Sequence, residues 1–281
     1  MAKLAESQRM KRLINHIPSR AAKIILGAAP FLASILIYAS CSAFRHAENP
    51  ADKLLPGLGA FADAINRMAF TPDMRTGEYL LWVDTGASLR RLLEGLASAT
   101  ALGLCFGIAT GLIPFMRAGL SPFIAILSMI PPMAVLPILF ITFGLGEVSK
   151  IVLITVGVAP FMIRDLSLRV NDIPPELLIK AQTLGASTWQ IILRVILPQV
   201  MPRLIDAVRL SLGPAWLFLI SAEAIASTDG LGFRIFLMRR YLAMDVILPY
   251  VAWVTLLAFV MDYALRLTSR RCFPWAMLGA R

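Results

Sequence analysis

Residues 171–202 read NDIPPELLIKAQTLGASTWQIILRVILPQVMP, a polar and heavily punctuated stretch inside a chain otherwise dominated by apolar residues. Its spacing predicts two short helices joined at Gly185. Asp172 suits an N-cap, and Pro174 and Pro175 suit a first turn, where a missing amide hydrogen leaves no bond unmade. Glu176 complements the positive N-terminal end of the helix dipole. Gly185 stands where a left-handed residue ends that helix. Ser187 with Gln190 forms an S-x-x-Q capping box for the next helix, which Pro198 stops.

The flanks decide where this element lives. The chain of 281 residues is 58% hydrophobic and 16% charged, with mean hydropathy +0.74. A soluble globule of this size cannot keep that much apolar surface from water, so the fold class is an all-α polytopic membrane protein. Apolar windows of roughly 20 residues, the length that crosses a bilayer core as helix, recur along the chain. They place about six transmembrane helices at 24–44, 92–113, 120–143, 151–162, 204–226 and 246–265, the fourth being short. Prolines 131, 132, 137, 160, 214 and 249 fall inside these spans, which predicts kinks or local unwinding. The alternating segments of about ten residues that a β-barrel needs are missing from the sequence.

Basic residues set the orientation. Lys3, Arg9, Lys11, Arg12, Arg20 and Lys23 precede the first span, and Arg266, Arg270, Arg271 and Arg281 follow the last, so both termini are expected in the cytoplasm. On that topology seventeen Lys and Arg are cytoplasmic, including Arg117 and those from Arg164 to Arg209, against ten outside. The net charge of +10 is then charge retained at the inner membrane surface rather than a nucleic-acid footprint. Residues 171–202 fall on the cytoplasmic side between the fourth and fifth spans. The membrane flanks also deny this helix-turn-helix outline access to a DNA groove.

The remaining signals are sparse. Cys41, Cys105 and Cys272 show neither metal-ligand spacing nor an obvious pairing. The N-terminal apolar stretch is long enough to span, so it reads as an uncleaved first helix. Residues 50–86 form the long outer segment, and 58–70 within it read as a surface helix. Glu223 is an ionisable residue in an apolar span, suited either to the pathway or outer gate or to a hydrogen-bonded helix end. Asp262 is placed to pair with Arg266 at i+4. Pro131, Pro132 and Pro137 break a helix whose Met129, Met133 and Phe140 share a face, either as a pathway wall or as a packing kink. His16 and His46 are isolated, and no catalytic constellation or metal site is found.

The chain resembles the permease subunits of binding-protein-dependent ABC importers, in particular the nitrate/sulfonate/taurine type. Their cytoplasmic EAA motif reads E-A-A, three residues, G, nine residues, I-x-L-P. Here Gly185 matches the glycine, Ala181 the last alanine, and Val195, Leu197 and Pro198 the end of the motif. Ile179 and Lys180 replace the glutamate and first alanine, and Glu176 stands one helical turn earlier. SLRRLLEGLASATALGLCFGIATGL, PPMAVLPILFITFGLGEVSKI and SAEAIASTDGLGF resemble further family segments, so the likeness covers roughly residues 85–270.

The resemblance implies a type I importer (MetI-like) permease fold in a single transmembrane domain, 1–281. A cytoplasmic tail (1–23) would precede the first helix and outer segment (24–84), the core permease (85–268, including the coupling loop) and a second cytoplasmic tail (269–281). It implies a multi-pass subunit of the bacterial inner membrane that forms the pathway for a small polar solute such as nitrate, a sulfonate or taurine. A second permease copy, two ATP-binding cassette subunits and a periplasmic or surface-tethered binding protein would be its partners, alongside membrane lipid and without nucleic acid. No G-x-x-x-x-G-K-[ST] loop is present, so ATP and Mg would be used by the partner ATPase and the permease itself would be non-catalytic and bind no cofactor directly. Gly185 would allow the tight turn, Ala186 and Thr188 close docking, and Trp189 an anchor. An ion-driven secondary transporter and an integral membrane enzyme are the alternatives. Neither inverted repeats with buried ionisable pairs nor convergent catalytic groups are found in the sequence.

Overall fold

A computed structural model describes residues 18–49 and 52–275. The tail residues Lys3, Arg9, Lys11, Arg12, His16 and Arg281 lie outside them. Every helix or strand assigned among the described residues is helical. The chain divides into two units, Met1–Ala60 and Phe61–Arg281.

The first unit is built on α1, Arg20–Glu48, whose N-terminus is capped by the Ser19 side chain accepting from the Ala22 amide at 3.2 Å. Among its described residues only Ser42 is buried, so the apolar surface from Ile24 to Phe44 is left for lipid or another subunit. The segment after it folds back. Tyr38 and Ser42 donate to the carbonyls of Pro56 and Leu55 at 2.8 and 2.9 Å, and Arg45 pairs with Asp52.

Helix α2, Leu58–Ile65, spans the division and is extended by a π-helical turn, Asn66–Phe70, so residues 58–70 are helical as expected. There follow α3, Leu80–Leu112; α4, Pro114–Leu127; α5, Pro132–Phe143; and α6, Glu147–Asn171. The polar stretch supplies α7, Pro175–Thr183, and α8, Thr188–Ile191. The chain closes with α9, Leu197–Ile225; α10, Leu231–Arg239; and α11, Met244–Cys272.

Four described helices, α1, α3, α6 and α11, are long and apolar enough to cross a membrane, and α4 with α5, bent by 94°, form a fifth if taken as one span. Packing shows why that pair is one crossing. Glycines 95, 103, 107 and 111 of α3 face Ile154, Met162, Leu166 and Val170 of α6 at a constant offset, so the two helices run parallel. A parallel pair requires the intervening chain to return across the same thickness, and α4–α5 is that return. α9 is 29 residues long; it begins beside the polar loop and ends at Glu223 beside Arg91, so it traverses the same distance.

Several boundaries differ from those read off hydropathy, each for an identifiable reason. The span expected at 120–143 is broken at residues 128–131, because Pro131 and Pro132 lack amide hydrogens and each biases the preceding residue away from helix. By contrast, α6, α9 and α11 run unbroken through Pro160, Pro214 and Pro249. The second span starts twelve residues before 92 and the fourth is 25 residues rather than short. Both extensions carry charges that an apolar window rejects, and those charges find partners in the fold.

The core has two parts. The larger lies between α3, α6, α9, α10 and α11, around Leu92, Leu153, Leu219, Leu231 and Tyr250. The smaller lies at the loop end, around Leu166, Val170, Ile173, Ile191 and Ile196. Arg209 ties α9 to α11 through Asp262 at 2.8 Å, and Arg266 meets the same carboxylate at 3.5 Å, the expected i+4 pair.

Candidate functional site

Two constellations occupy opposite ends of the second unit. At the first, α6 ends at Asn171, and Asp172 is its C-cap, with its amide bonded to the Leu168 carbonyl, instead of the N-cap of the next helix. Pro174 takes the N-cap position of α7 with no side-chain cap, because Pro175 and the exposed first turn leave little to satisfy. Glu176 sits in that first turn. α7 ends in a complete Schellman motif: Gly185 has φ +78°, its amide donates to the Gln182 carbonyl at 2.9 Å, and the Ala186 amide donates to the Ala181 carbonyl at 3.0 Å.

The next helix starts as its sequence predicts. Ser187 Oγ accepts from the Gln190 amide at 3.3 Å while the Ser187 amide donates to Gln190 Oε1 at 2.9 Å. Pro198, however, does not stop it. A π-helical turn, Ile192–Ile196, re-phases the backbone, and Pro198 falls in the first turn of α9, where its missing hydrogen costs nothing. The loop is thus continuous with a membrane-length helix.

Side chains divide by face. Ala181, Ala186, Val195 and Leu197 pack inward against Ile173, Ile191 and Ile196, which hold the loop to the base of α6. Ile179, Leu184 and Trp189 point away, with 59%, 80% and 66% of their surfaces exposed; Glu176, Ser187, Thr188 and Pro198 are also exposed. Sequence reasoning missed Leu184 and the anchoring isoleucines. Arg117, in the first turn of α4, donates to the Thr110 carbonyl at 3.1 Å and to the Asn171 side chain, bringing two segments expected on the same membrane side together.

At the opposite end Glu223 is completely buried. Its carboxylate accepts from Arg91 Nη1 at 2.8 Å, Ser88 Oγ at 2.8 Å and the Gly232 amide at 2.9 Å. Arg91 also holds Glu147 through Nη2 at 2.8 Å and pairs with Asp229. Lys150 bridges Glu147 and Ser227, both at 3.0 Å. Beside this group Asp84 accepts from Arg234 at 2.8 Å, the Gly230 amide at 3.0 Å and Tyr250 at 3.2 Å. Such buried ions persist because each is paired and hydrogen-bonded. The 226–230 turn is thereby fastened to α3, α6, α10 and α11. Gly230 has φ +111°, and a Cβ there would lie 2.5 Å from the Glu223 carboxylate, so the turn has room only for glycine.

The structure places Glu223 in this enclosed network, apart from the exposed Met129 and Pro131 at the α4–α5 break. Met133 and Phe140 pack against the larger core. Pro132 heads α5 and Pro137 lies within it. Asp84, Arg91, Glu147 and Lys150 were not anticipated from sequence. The spacing of Asp84, Ser88 and Arg91, four and three apart on one helical face, was the available sign.

Residues 103–273 match the family described as binding-protein-dependent transport system inner membrane component. The chain belongs to this family. The permease is 40% identical over 196 residues to the taurine transport system permease protein of Escherichia coli (strain K12), covering 69% of this chain and 71% of that one. It is 31% identical over 189 residues to the putative aliphatic sulfonates transport permease protein of Bacillus subtilis (strain 168), covering 67% and 68%. In fold it is similar to the MetNI methionine ABC transporter in inward facing conformations, with TM-score 0.60 and 23% identity over 68% of this chain and 95% of that one.

It is therefore an ABC importer permease subunit of the nitrate/sulfonate/taurine type with a type I, MetI-like fold, a multi-pass component of the inner membrane. Family membership displaces the ion-driven carrier and membrane-enzyme alternatives. The matched region includes the polar loop and Glu223, whereas α1 precedes it.

Proposed function

We propose that this permease forms the translocation pathway for a small polar solute, a sulfonate such as taurine or a similar anion such as nitrate, and couples it to ATP hydrolysis on a separate subunit. Two copies of the chain pair around the pathway. Two ATPases, which hold the ATP and Mg, dock on the 171–202 loops, and a binding protein delivers solute at the Arg91–Glu223 end. That end faces outward, and both termini and the loop face the cytoplasm. The core permease of 85–268 carries this work, flanked by the first helix with its outer segment and by the two tails.

The observation that carries the reading is the loop's two-sidedness. Its inner face is packed onto α6 and α9, and its outer face presents Ile179, Leu184 and Trp189 beyond the membrane-length helices, where such apolar exposure marks a contact surface. Glu176 borders that face in place of the motif's glutamate. A push on the turn at Gly185 therefore passes directly into two long helices. α3 rides with α6 through their glycine contacts, so the movement reaches the Arg91–Glu223 network, where Glu223 holds the outer turn in shape. Met129, Pro131, Pro132, Met133, Pro137 and Phe140, at the broken α4–α5 crossing, contribute the pathway wall. Switching between outward and inward states is then a shift between two packings, driven by ATP binding on the partner.

The docking face is tested by Leu184→Ala with Trp189→Ala, both exposed positions. Losing two apolar anchors weakens binding of the ATPase subunit by several hundredfold, at about 2 kcal/mol for each anchor of this kind. Co-purification and binding-protein-stimulated ATP hydrolysis measure it. Retention of both at full strength refutes the loop as the coupling site.

A further inference from the structure

On the topology expected from the sequence, ten of the basic residues fall in outer segments, the side to which the importer reading assigns the Arg91–Glu223 network. That is the side on which the positive-inside rule disfavours them, so each needs a local reason. Six have one. Arg45, Arg67, Arg90, Arg91, Lys150 and Arg234 pair with Asp52, Asp245, Glu94, Glu223, Glu147 and Asp84. Lys53, Arg75, Arg239 and Arg240 have no carboxylate partner among the described residues. Lys53 and Arg75 are isolated exposed side chains of the outer segment.

Arg239 and Arg240 differ from these two. They are adjacent at the end of α10 and line one cavity of about 250 Å³ with Ala224, Phe233, Phe236 and Leu237. Ala224 follows Glu223 on α9 and Phe233 lies between Gly232 and Arg234 on α10, so the cavity is lined by sequence neighbours of the enclosed network and by none of its members. Arg239 lies 5.7 Å from the Phe236 ring centroid, which restrains its guanidinium over an apolar wall. The cavity therefore joins two unneutralised fork-shaped donors to an aromatic and aliphatic lining. Planar guanidinium groups match the oxygens of an oxyanion, and a lining of this kind takes a short hydrocarbon body.

We propose that Arg239 and Arg240 form an anion subsite of the permease itself, which receives the oxyanion head of a small organic anion such as an alkylsulfonate as it leaves the binding protein. Phe233, Phe236 and Leu237 take the aliphatic part. The subsite rests on the importer reading and on its outward placement of the network end. It adds selection by charge at the permease mouth, independent of the binding protein.

The test uses the permease assembled with its ATPase in nanodiscs of neutral phosphatidylcholine, without binding protein, and ethanesulfonate as the probe in equilibrium dialysis. Unmodified complex is expected to bind the probe, and Arg239→Gln with Arg240→Gln to bind it about tenfold or more weakly, the loss of one or more charge-assisted hydrogen bonds. Arg239→Lys with Arg240→Lys keeps the charge but loses the planar fork, and is expected to bind between the unmodified and glutamine forms. Equal binding by the unmodified and glutamine forms overturns the proposal, as does no binding by the unmodified complex. If the unmodified complex instead retains phosphatidylglycerol selectively from a mixed bilayer and the glutamine form does not, the anion is a lipid headgroup and the solute subsite is refuted. If the glutamine form binds ethanesulfonate normally but no longer docks the binding protein, the arginines are a protein contact and the proposal again falls. Failure of the permease to assemble with any ATPase would sink the importer reading instead, and probe binding to the permease alone would still decide the subsite.

Discussion

Replacing Gly107 by alanine puts a methyl carbon 2.7 Å from the Leu166 Cβ and 3.3 Å from the Ile163 carbonyl oxygen. Carbon atoms in good contact sit about 3.5–4.0 Å apart, so the parallel pair α3 and α6 has to separate locally by about 1 Å. The obstructing atom is a Cβ, which no rotamer change can move aside. Leu166 is fully buried and has no space to retreat into. Overpacking of this kind costs about 1–3 kcal/mol and outweighs the helix preference of alanine over glycine, about 1 kcal/mol at most. Gly119, on α4, has nothing within 4 Å of an added Cβ, so Gly119→Ala is the matched control and is neutral or mildly stabilising. Thermal unfolding of the detergent-purified permease, followed by fluorescence-detected gel filtration, reports the difference. Gly107→Ala is expected to melt several degrees below Gly119→Ala, at roughly 2–4 °C per kcal/mol. Coincident melting of the two variants would refute the close approach of α3 to α6.

The ion network gives a second measurement. Arg91→Ala leaves Glu223 buried without its guanidinium and is expected to cost about 3–5 kcal/mol, seen as a large drop in melting temperature, whereas Glu223→Gln keeps the shape and costs less. A melting curve for Arg91→Ala indistinguishable from the unmodified permease would exclude the network as a fastening. A third concerns pH. The Leu54 amide, 2.9 Å from Asp52 Oδ1, and then Arg45 hold the Asp52 carboxyl below the usual carboxylate range. A depressed folded-state pKa contributes stability above the unfolded value and loses it as pH falls through the folded one, so acidification below about pH 4 should loosen residues 52–56 from α1. Hydrogen exchange at the Leu54 amide, corrected for the intrinsic pH dependence, should lose protection there and change little between neutral and mildly alkaline pH; constant protection into acid would contradict this.

Much of the loop was legible because its determinants are local. Gly185, Ser187 and Gln190 specify a turn and a cap through bonds spanning five residues or fewer, and the structure makes those bonds. Asp172 and Pro198 were misread for the complementary reason. Whether a capping residue opens one helix or closes another, and whether a proline ends a helix or enters its first turn, depends on the neighbouring elements. The π-helical turn at Ile192–Ile196 decides the second case and leaves no simple trace in composition.

A helical membrane protein with a polar interhelical loop is legible in the chain alone, because apolar length and local capping are properties of consecutive residues. That 80–91 and 147–150 extend the spans, and that α4 and α5 make one broken crossing, emerges from the packing of distant segments. The same packing encloses Glu223 with Arg91 and Ser88. A charge is tolerated in such a place only when its partner arrives from elsewhere in the chain, and Arg91 and Glu223 meet across 132 residues of sequence. No window along the sequence can contain both.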